Sequence, residues 1–388
     1  MALPRTSWRI RVLAVVLPTV AATFALIGLV PRTVVDASPV NVKRADVTEC
    51  LPTGPLNSVD ALNTFARTVR GGEQFLGGDV GADVLLQDGR RLWVFGDTLR
   101  AEDFPGQHFV RNSMLVFSDK CAQVVLPADR GALIPDRADG IGYWPMSIAR
   151  VGYTGYDLVG VAAQRVHKTG DGSFDFESLG PAMAVFIVPR GQTPQLIMVR
   201  DLGKDDPSTT RPTWGAAMAS SGGWVYLYGT ARPKTGSFGY SLRVARLHPN
   251  DLLDPTRWRY WDGKSWQRNP ARAKVLIPAV GGVSQTLSVF TKNGRWYALS
   301  KRDDFLGNDL EVWMSSRPTG PFRATATLAN IPSNVAAGEL RYMPLAHPDL
   351  LPERNSIIVS YSKNNTDLRK VEDDPFLYRP SFLRVILP

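Results

Sequence analysis

The sequence predicts an all-β fold, a five-bladed β-propeller closed by an N-terminal strand, and three observations predict it. The 388 residues include 34 Gly, 29 Pro and a full share of Trp, Tyr and Phe, so turn punctuation is frequent and flat apolar side chains are plentiful. Short apolar runs recur as weak copies of about 57–71 residues, the mark of a repeat architecture. Long helical periodicity is absent, and Val59 to Val69 is the single short helix candidate.

The N-terminus comes first. Arg5, Arg9 and Arg11 precede an uncharged stretch from Val12 to Val30, long enough to span a hydrocarbon core with help from its flanks. Positive charge ahead of an apolar run implies that the following body crosses the membrane. Val35-Asp36-Ala37 is a poor cleavage site, so a cleaved signal peptide and a retained anchor both stand. Residues 1–37 are set aside, and 38–388 are expected to form one propeller domain, exported to the cell envelope as a secreted or membrane-anchored protein.

Five openings follow: Gly78-Asp79-Val80-Gly81, Tyr143-Trp144-Pro145-Met146, Thr213-Trp214-Gly215-Ala216, Ser284-Gln285-Thr286-Leu287 and Tyr342-Met343-Pro344-Leu345. Each leads through a turn into a second strand: Leu92 to Asp97, Asp157 to Ala163, Trp224 to Thr230, Arg295 to Lys301 and Ser356 to Ser362. The turns are marked by Asp88-Gly89, Thr154-Gly155, Gly222-Gly223, Asn293-Gly294 and Glu353-Arg354-Asn355. Third strands are expected at Arg111 to Ser118, Met183 to Pro189, Leu242 to Leu247, Leu310 to Ser315 and Phe382 to Leu387. A fourth fits the first four copies, as at Gln195 to Val199 and Phe322 to Leu328. The fifth copy lacks one, and the arm between about Asp46 and Val69 is expected to supply it, which removes an open edge.

Innermost propeller strands line the axis, so their starts converge on one mouth. That places Asp79, Trp144, Trp214, Gln285 and Tyr342 around a funnel, with the second-strand ends Asp97, Arg165, Thr230, Lys301 and Lys363 just outside. The first copy alone has a carboxylate at both positions. A two-residue Asp88-Gly89 turn pairs Asp79 with Thr98, and a three-residue turn with Gly89 left-handed pairs it with Asp97. Two adjacent carboxylates suit glycoside hydrolysis, one acid protonating the leaving oxygen and one base activating water or attacking carbon. Trp144, Trp214 and Tyr342 offer flat faces for sugars, and Asn112, Ser147, Ser284 and Gln285 offer hydroxyl-binding dipoles. Against this, an Asp in Gly-Asp-Thr often caps a turn, and a Trp often only packs a core. Asp303, Asp304, Asp309 and Glu339 are candidates for a third carboxylate.

Other chemistries score poorly. The net charge of +9 comes from scattered Lys and Arg, which argues against nucleic acid as a partner. Two cysteines and four scattered histidines make no zinc pattern, and no metal or cofactor is expected. His108, His167, His248 and His347 read as surface or packing residues, and Asp88, Asp171 and Asp262 as turn residues. In an oxidising compartment Cys50 and Cys121 form one disulfide; two free thiols is the alternative.

Phe75 to Thr98, with Arg111-Asn112-Ser113 after it, resembles the bacterial domain of unknown function 4185, grouped as glycoside hydrolase family 183. The likeness extends through Tyr143-Trp144-Pro145, Trp214-Gly215 and Thr319-Gly320-Pro321-Phe322 toward the Arg384-Val385 end. It implies an endo-D-arabinanase acting on the arabinan of arabinogalactan and lipoarabinomannan, with the acidic residues of its motifs falling on Asp79 and Asp97, and it leans toward inversion of configuration. A non-catalytic carbohydrate-binding or scaffolding propeller of the envelope is the alternative.

Overall fold

A computed structural model describes residues 45–68, 73–118, 120–170, 172, 175–233, 236–304 and 307–388. The expected signal or anchor segment and Asp171 lie outside these residues. Among the described residues no helix is long and apolar enough to cross a membrane.

Five antiparallel sheets follow one another along the chain. The first contains β1 (Ala45–Val47), β2 (Leu51–Pro52), β3 (Gly77–Leu85), β4 (Arg91–Leu99), β5 (Phe109–Val110), β6 (Ser113–Ser118) and β7 (Cys121–Pro127). Its main order is β1-β7-β6-β4-β3, with β2 on β7 and β5 on β4. The second contains β8 (Gly142–Tyr153), β9 (Tyr156–Lys168), β10 (Phe176–Pro189) and β11 (Gln195–Asp201). The third contains β12 (Thr213–Ser221), β13 (Trp224–Ala231), β14 (Ser241–Leu247), β15 (Arg259–Trp261) and β16 (Trp266–Gln267). The fourth contains β17 (Ser288–Lys292), β18 (Arg295–Lys301), β19 (Asp309–Ser315) and β20 (Arg323–Asn330). The fifth contains only β21 (Glu339–His347), β22 (Ser356–Asn365) and β23 (Ser381–Ile386). The described residues also form two short α-helices, α1 (Val59–Thr68) and α2 (Leu368–Asp373).

The arrangement is propeller-like. The innermost strands β3, β8, β12, β17 and β21 adjoin in cyclic order, β21 returning to β3. The apolar core is divided to match, one cluster filling each seam between neighbouring sheets. Four sheets hold the four or more strands of a full blade, whereas the fifth holds three, so five equal blades are not what forms.

The expected closing strand is the main correction. The N-terminal arm does form β1 and β2, but both pair with β7 on the outer edge of the first sheet. The fifth sheet is covered instead by α1. Its Leu62, Phe65 and Ala66 repeat at helical spacing, which a half-buried strand cannot use, and they pack with Phe117 and Phe382. Asn63 then stands in for the missing strand: its Nδ2 donates to the Phe382 carbonyl at 2.8 Å and its Oδ1 accepts from the Phe382 N–H at 2.9 Å. One side chain thus satisfies part of an edge that would otherwise invite pairing.

The openings gain a physical meaning. In β3, β8, β12 and β21 the register with the second strand slips within the opening motif, at Gly78/Val80, Pro145/Ser147, Trp214/Ala217 and Tyr342/Leu345. A bulge bends the strand and re-aims side chains there. The fourth opening is different, since Ser284 to Leu287 precede β17 and lie outside any strand.

The Cys50 and Cys121 sulfurs are bonded, with Cα atoms 5.2 Å apart, fastening the arm to β7. The closed loop spans 71 residues, for which chain entropy gives an order-of-magnitude stabilisation of about 4 kcal/mol. The Cys50→Ser/Cys121→Ser double variant is expected to melt several degrees below the parent in thermal denaturation; equal melting temperatures would contradict this.

Candidate active site

The site starts from the turn between β3 and β4. Gly89 adopts φ 87°, and the Leu86 N–H donates to the Arg90 carbonyl at 2.8 Å, leaving Gln87-Asp88-Gly89 as a three-residue turn. That selects the register placing Asp79 across from Asp97. Gly78 faces Thr98 and Val80 faces Phe95, so Asp79 alone lies opposite the pair Gly96 and Asp97. Gly96 leaves room for the carboxylate, because a Cβ there would stand 2.4 Å from Asp79 Oδ1 and would displace it. On the other side of Asp79, Val80 takes φ 69° and its N–H is held by Ser362 Oγ at 2.9 Å, a contact to the fifth sheet. The Gly-Gly-Asp and Gly-Asp-Thr stretches are therefore two halves of one packed unit.

Both carboxylates are partly buried, and their partners differ. Asp79 Oδ2 accepts from the Tyr342 hydroxyl at 2.8 Å, and further hydrogen bonds come from Tyr378 and the Asp97 backbone. Asn364 Nδ2 reaches the Tyr342 oxygen at 3.4 Å. Asp97 Oδ1 accepts from Trp144 Nε1 at 2.6 Å, and Phe176 stands edge-on to the Trp144 ring with centroids 4.6 Å apart. Arg111 and Asp136 form an ion pair whose charges act on Asp97.

Burial raises both carboxyls. Asp79 is pushed up to about 6, with the tyrosine and backbone donors working against the burial. Asp97 goes well above the usual range, first through burial and then through the charge of Asp79. Trp144 and Arg111 pull it down, and Asp136 adds to the rise. Of the two, Asp79 is the better-supported anion. Asp97 is the one held neutral. Such a pair can supply a base and an acid at the same mildly acidic pH.

Trp144, Gln285 and Tyr342 also stand at this mouth. Gln285 Nε2 donates to Gln164 Oε1 at 2.7 Å, and Gln164 is the cross-strand neighbour of Trp144. Asn112 is a correction. It is buried and its amide is spent on backbone, donating to the Ile134 and Tyr143 carbonyls at 3.0 Å each and accepting from Ile134 N–H at 2.6 Å. It ties the first sheet to the second and has no dipole left for a sugar. Trp214 is a second correction: it is buried, its ring lies over Gly229 and 4.9 Å from Tyr260, and it belongs to the seam between the second and third sheets. Ser147 and Ser284 are buried too, donating to the Gly215 and Lys301 carbonyls.

The loop acids have partners of their own. Asp304 pairs with Arg232 at 2.6 Å and also accepts from the Gln285 N–H at 3.4 Å, Asp303 caps Gly281 at 2.9 Å and Asp309 accepts from Asn330 at 3.1 Å. A further carboxylate whose charge acts on Asp97 is Asp136, in the loop between the first and second sheets. It, Arg111, Phe176 and Tyr378 were missed as site residues. Arg111 alone had a signal, as the residue before Asn112-Ser113. Nothing local marks the others, because folding brings them in from separate sheets.

Residues 62–386 match the family model described as a domain of unknown function (DUF5005). The chain belongs to the DUF5005 family. This is not the family that its motifs resemble, and the matching description names no activity. No curated protein matches the chain in sequence. Among solved structures, a candidate hydrolase from Bacteroides ovatus is similar at 20% identity and a TM-score of 0.59, over 80% of this chain and 86% of that one. A GH43_1 enzyme from Xanthomonas citri overlaps at 13% identity and a TM-score of 0.48, covering 87% and 90% of the two chains. A GH43 β-xylosidase/α-arabinofuranosidase from a compost metagenome overlaps at 12% and 0.46, covering 89% and 96%. The first likeness concerns the fold of this DUF5005 chain, and the looser two carry no argument about its chemistry.

The raised carboxyls set a pH dependence for stability. A group whose pKa is higher in the folded state stabilises the fold below the ordinary carboxylate range, and that contribution is lost as pH rises through the folded value. Asp97→Asn removes one such group and keeps the Oδ1 acceptor for Trp144. Its melting temperature should exceed the parent's at pH 7.5, with the gap closing by pH 4; a variant less stable than the parent only at pH 7.5 would contradict the electrostatics.

Proposed function

We propose that this DUF5005 protein is a glycoside hydrolase, with Asp97 as general acid and Asp79 as the base or nucleophile. The observation that carries the reading is the pair of carboxyls facing each other across one hairpin, both raised and each with a different set of donors. Asp79, fed by two hydroxyls and two backbone N–H groups, is suited to hold negative charge. Asp97, in the field of Asp79, is suited to keep its proton until the leaving oxygen takes it. Trp144 orients that carboxyl and, with the half-exposed Phe176, offers an apolar wall for a sugar ring. Gln285 and Tyr342 complete the rim. In this reading the three-stranded sheet serves as a fifth blade with α1 as its cap.

The motif resemblance of Phe75 to Thr98 extends the proposal to a substrate: D-arabinofuranosyl linkages of cell-envelope arabinan, cleaved internally by an exported protein that is secreted or held by its N-terminal segment. Purified protein incubated with arabinogalactan should release arabino-oligosaccharides detectable by anion-exchange chromatography. Asp79→Asn and Asp97→Asn should each lower kcat by ~10²–10⁴-fold while the chain stays folded. Undiminished release in both variants would sink the assignment. Retained binding without any release by the parent would make the protein a carbohydrate-binding module instead.

Arg111 gives a finer test. Its charge lowers Asp97, and it also neutralises Asp136. Arg111→Met should therefore raise the Asp97 pKa and move the alkaline limb of the kcat/KM profile to higher pH. A shift to lower pH would contradict Asp97 as the acid.

A further inference from the structure

The third sheet carries a cluster that the mouth does not use. Trp224 on β13, Arg246 on β14 and Trp266 on β16 are stacked, with the Arg246 guanidinium carbon 4.2 Å from one indole centroid and 4.5 Å from the other. Tyr226 and Trp261 extend the cluster, their ring centroids 6.2 Å and 5.4 Å from that of Trp266. The exposed His248 lies 3.9 Å from Trp224. All four aromatic rings are half-buried, so each keeps part of its surface open. Trp224 opens β13 directly after the Gly222-Gly223 turn, whereas β13 reaches the mouth at Thr230 and Ala231. The cluster is therefore at the far end of the strand from the carboxyl pair.

Arg246 itself is unusual. Its Nε is buried without any hydrogen-bond partner, and no carboxylate, carbonyl or hydroxyl among the described residues accepts from its other nitrogens, which stay open to solvent. Its cross-strand neighbours are Tyr226 and Arg259. Arg259 is spent on the Thr256, Arg257 and Trp258 carbonyls, so two like charges face each other on adjacent strands, and neither forms an ion pair with an acid among the described residues. Directly opposed like charges destabilise a sheet, and a guanidinium normally finds a planar oxyanion for its fork of donors. The indoles fix that fork in place, leaving the outer donors to be used.

We infer that this face is a second binding site, for a saccharide that carries a carboxylate or phosphate group, with the anion on Arg246 and the sugar rings against Trp224, Tyr226, Trp261 and Trp266. The guanidinium calls for the anion. The four open rings call for apolar ring faces that a free anion does not have. The site is independent of any chemistry at Asp79 and Asp97, so either can fail without the other.

The test is calorimetric titration of the purified protein with an oligogalacturonate, a neutral oligogalactoside of equal length and inorganic phosphate. The acidic oligosaccharide should bind more tightly than either control. Arg246→Met keeps a filler between the indoles and should weaken that binding by ~10-fold or more, the loss expected for a hydrogen bond to a charged group. Trp266→Ala should weaken the saccharide but leave phosphate little changed. Equal affinity of Arg246→Met and parent, no binding by the parent, or phosphate binding as tightly as the oligosaccharide would each overturn the inference. If Arg246→Met does not fold, Arg246→Lys, which keeps the charge and loses the planar fork, should show the same weakening.

Discussion

The ring depends on the seam where its last sheet meets its first. A buried chain of polar groups closes that seam: Asp83 on β3 lies 2.5 Å from His347 Nδ1 on β21, and His347 Nε2 lies 2.7 Å from Ser360 Oγ on β22. Arg91 pairs with Asp83 from β4 and donates to the Asp349 carbonyl. Burial alone would raise the Asp83 carboxyl, but His347 and Arg91 more than offset it and hold it below the usual range. A carboxylate in such a place is tolerated only with its partners, so the two ends of the domain are interlocked by charge as well as by packing. His347, read as one of four unremarkable histidines, turns out to be the link between them.

The mouth is built on the same seam. Asp79 belongs to the first sheet, while Tyr342 and Ser362 come from the fifth and Tyr378 from the segment between β22 and β23. Asp97 looks the other way, to Trp144 on the second sheet and to the Arg111–Asp136 pair. One hairpin thus presents two neighbouring carboxyls to two different seams. Proximity alone pushes two such carboxyls apart in pKa, and the different surroundings add to that split and favour Asp97 as the one more strongly raised.

Much of the strand pattern was legible along the chain because hairpins are local. The runs Arg295 to Lys301 and Trp224 to Thr230 reappear as β18 and β13 almost residue for residue. The closing element was not legible. Whether Asp46 to Val69 pairs with β23 depends on a partner more than three hundred residues away, and local periodicity favours the helix that forms there. The same limit explains Asn112 and Trp214. Trp214 lies in an opening whose strand bulges between Trp214 and Ala217, and its ring packs into the seam, while Asn112, just before β6, is held by backbone groups of Ile134 and Tyr143 from farther along the chain.

The amino-acid sequence by itself determined the all-β character, the five openings, and the nearness of Asp79 and Asp97, since one three-residue turn ending in a left-handed Gly89 is enough to bring them together. Only the tertiary structure decided what surrounds that pair. Tyr342, Tyr378, Trp144, Arg111 and Asp136 reach it from separate parts of the ring, and it is their donors and charges, together with burial, that set the two carboxyls apart. A pairing within a hairpin is written in adjacent residues; the field at a site is a sum over the whole fold.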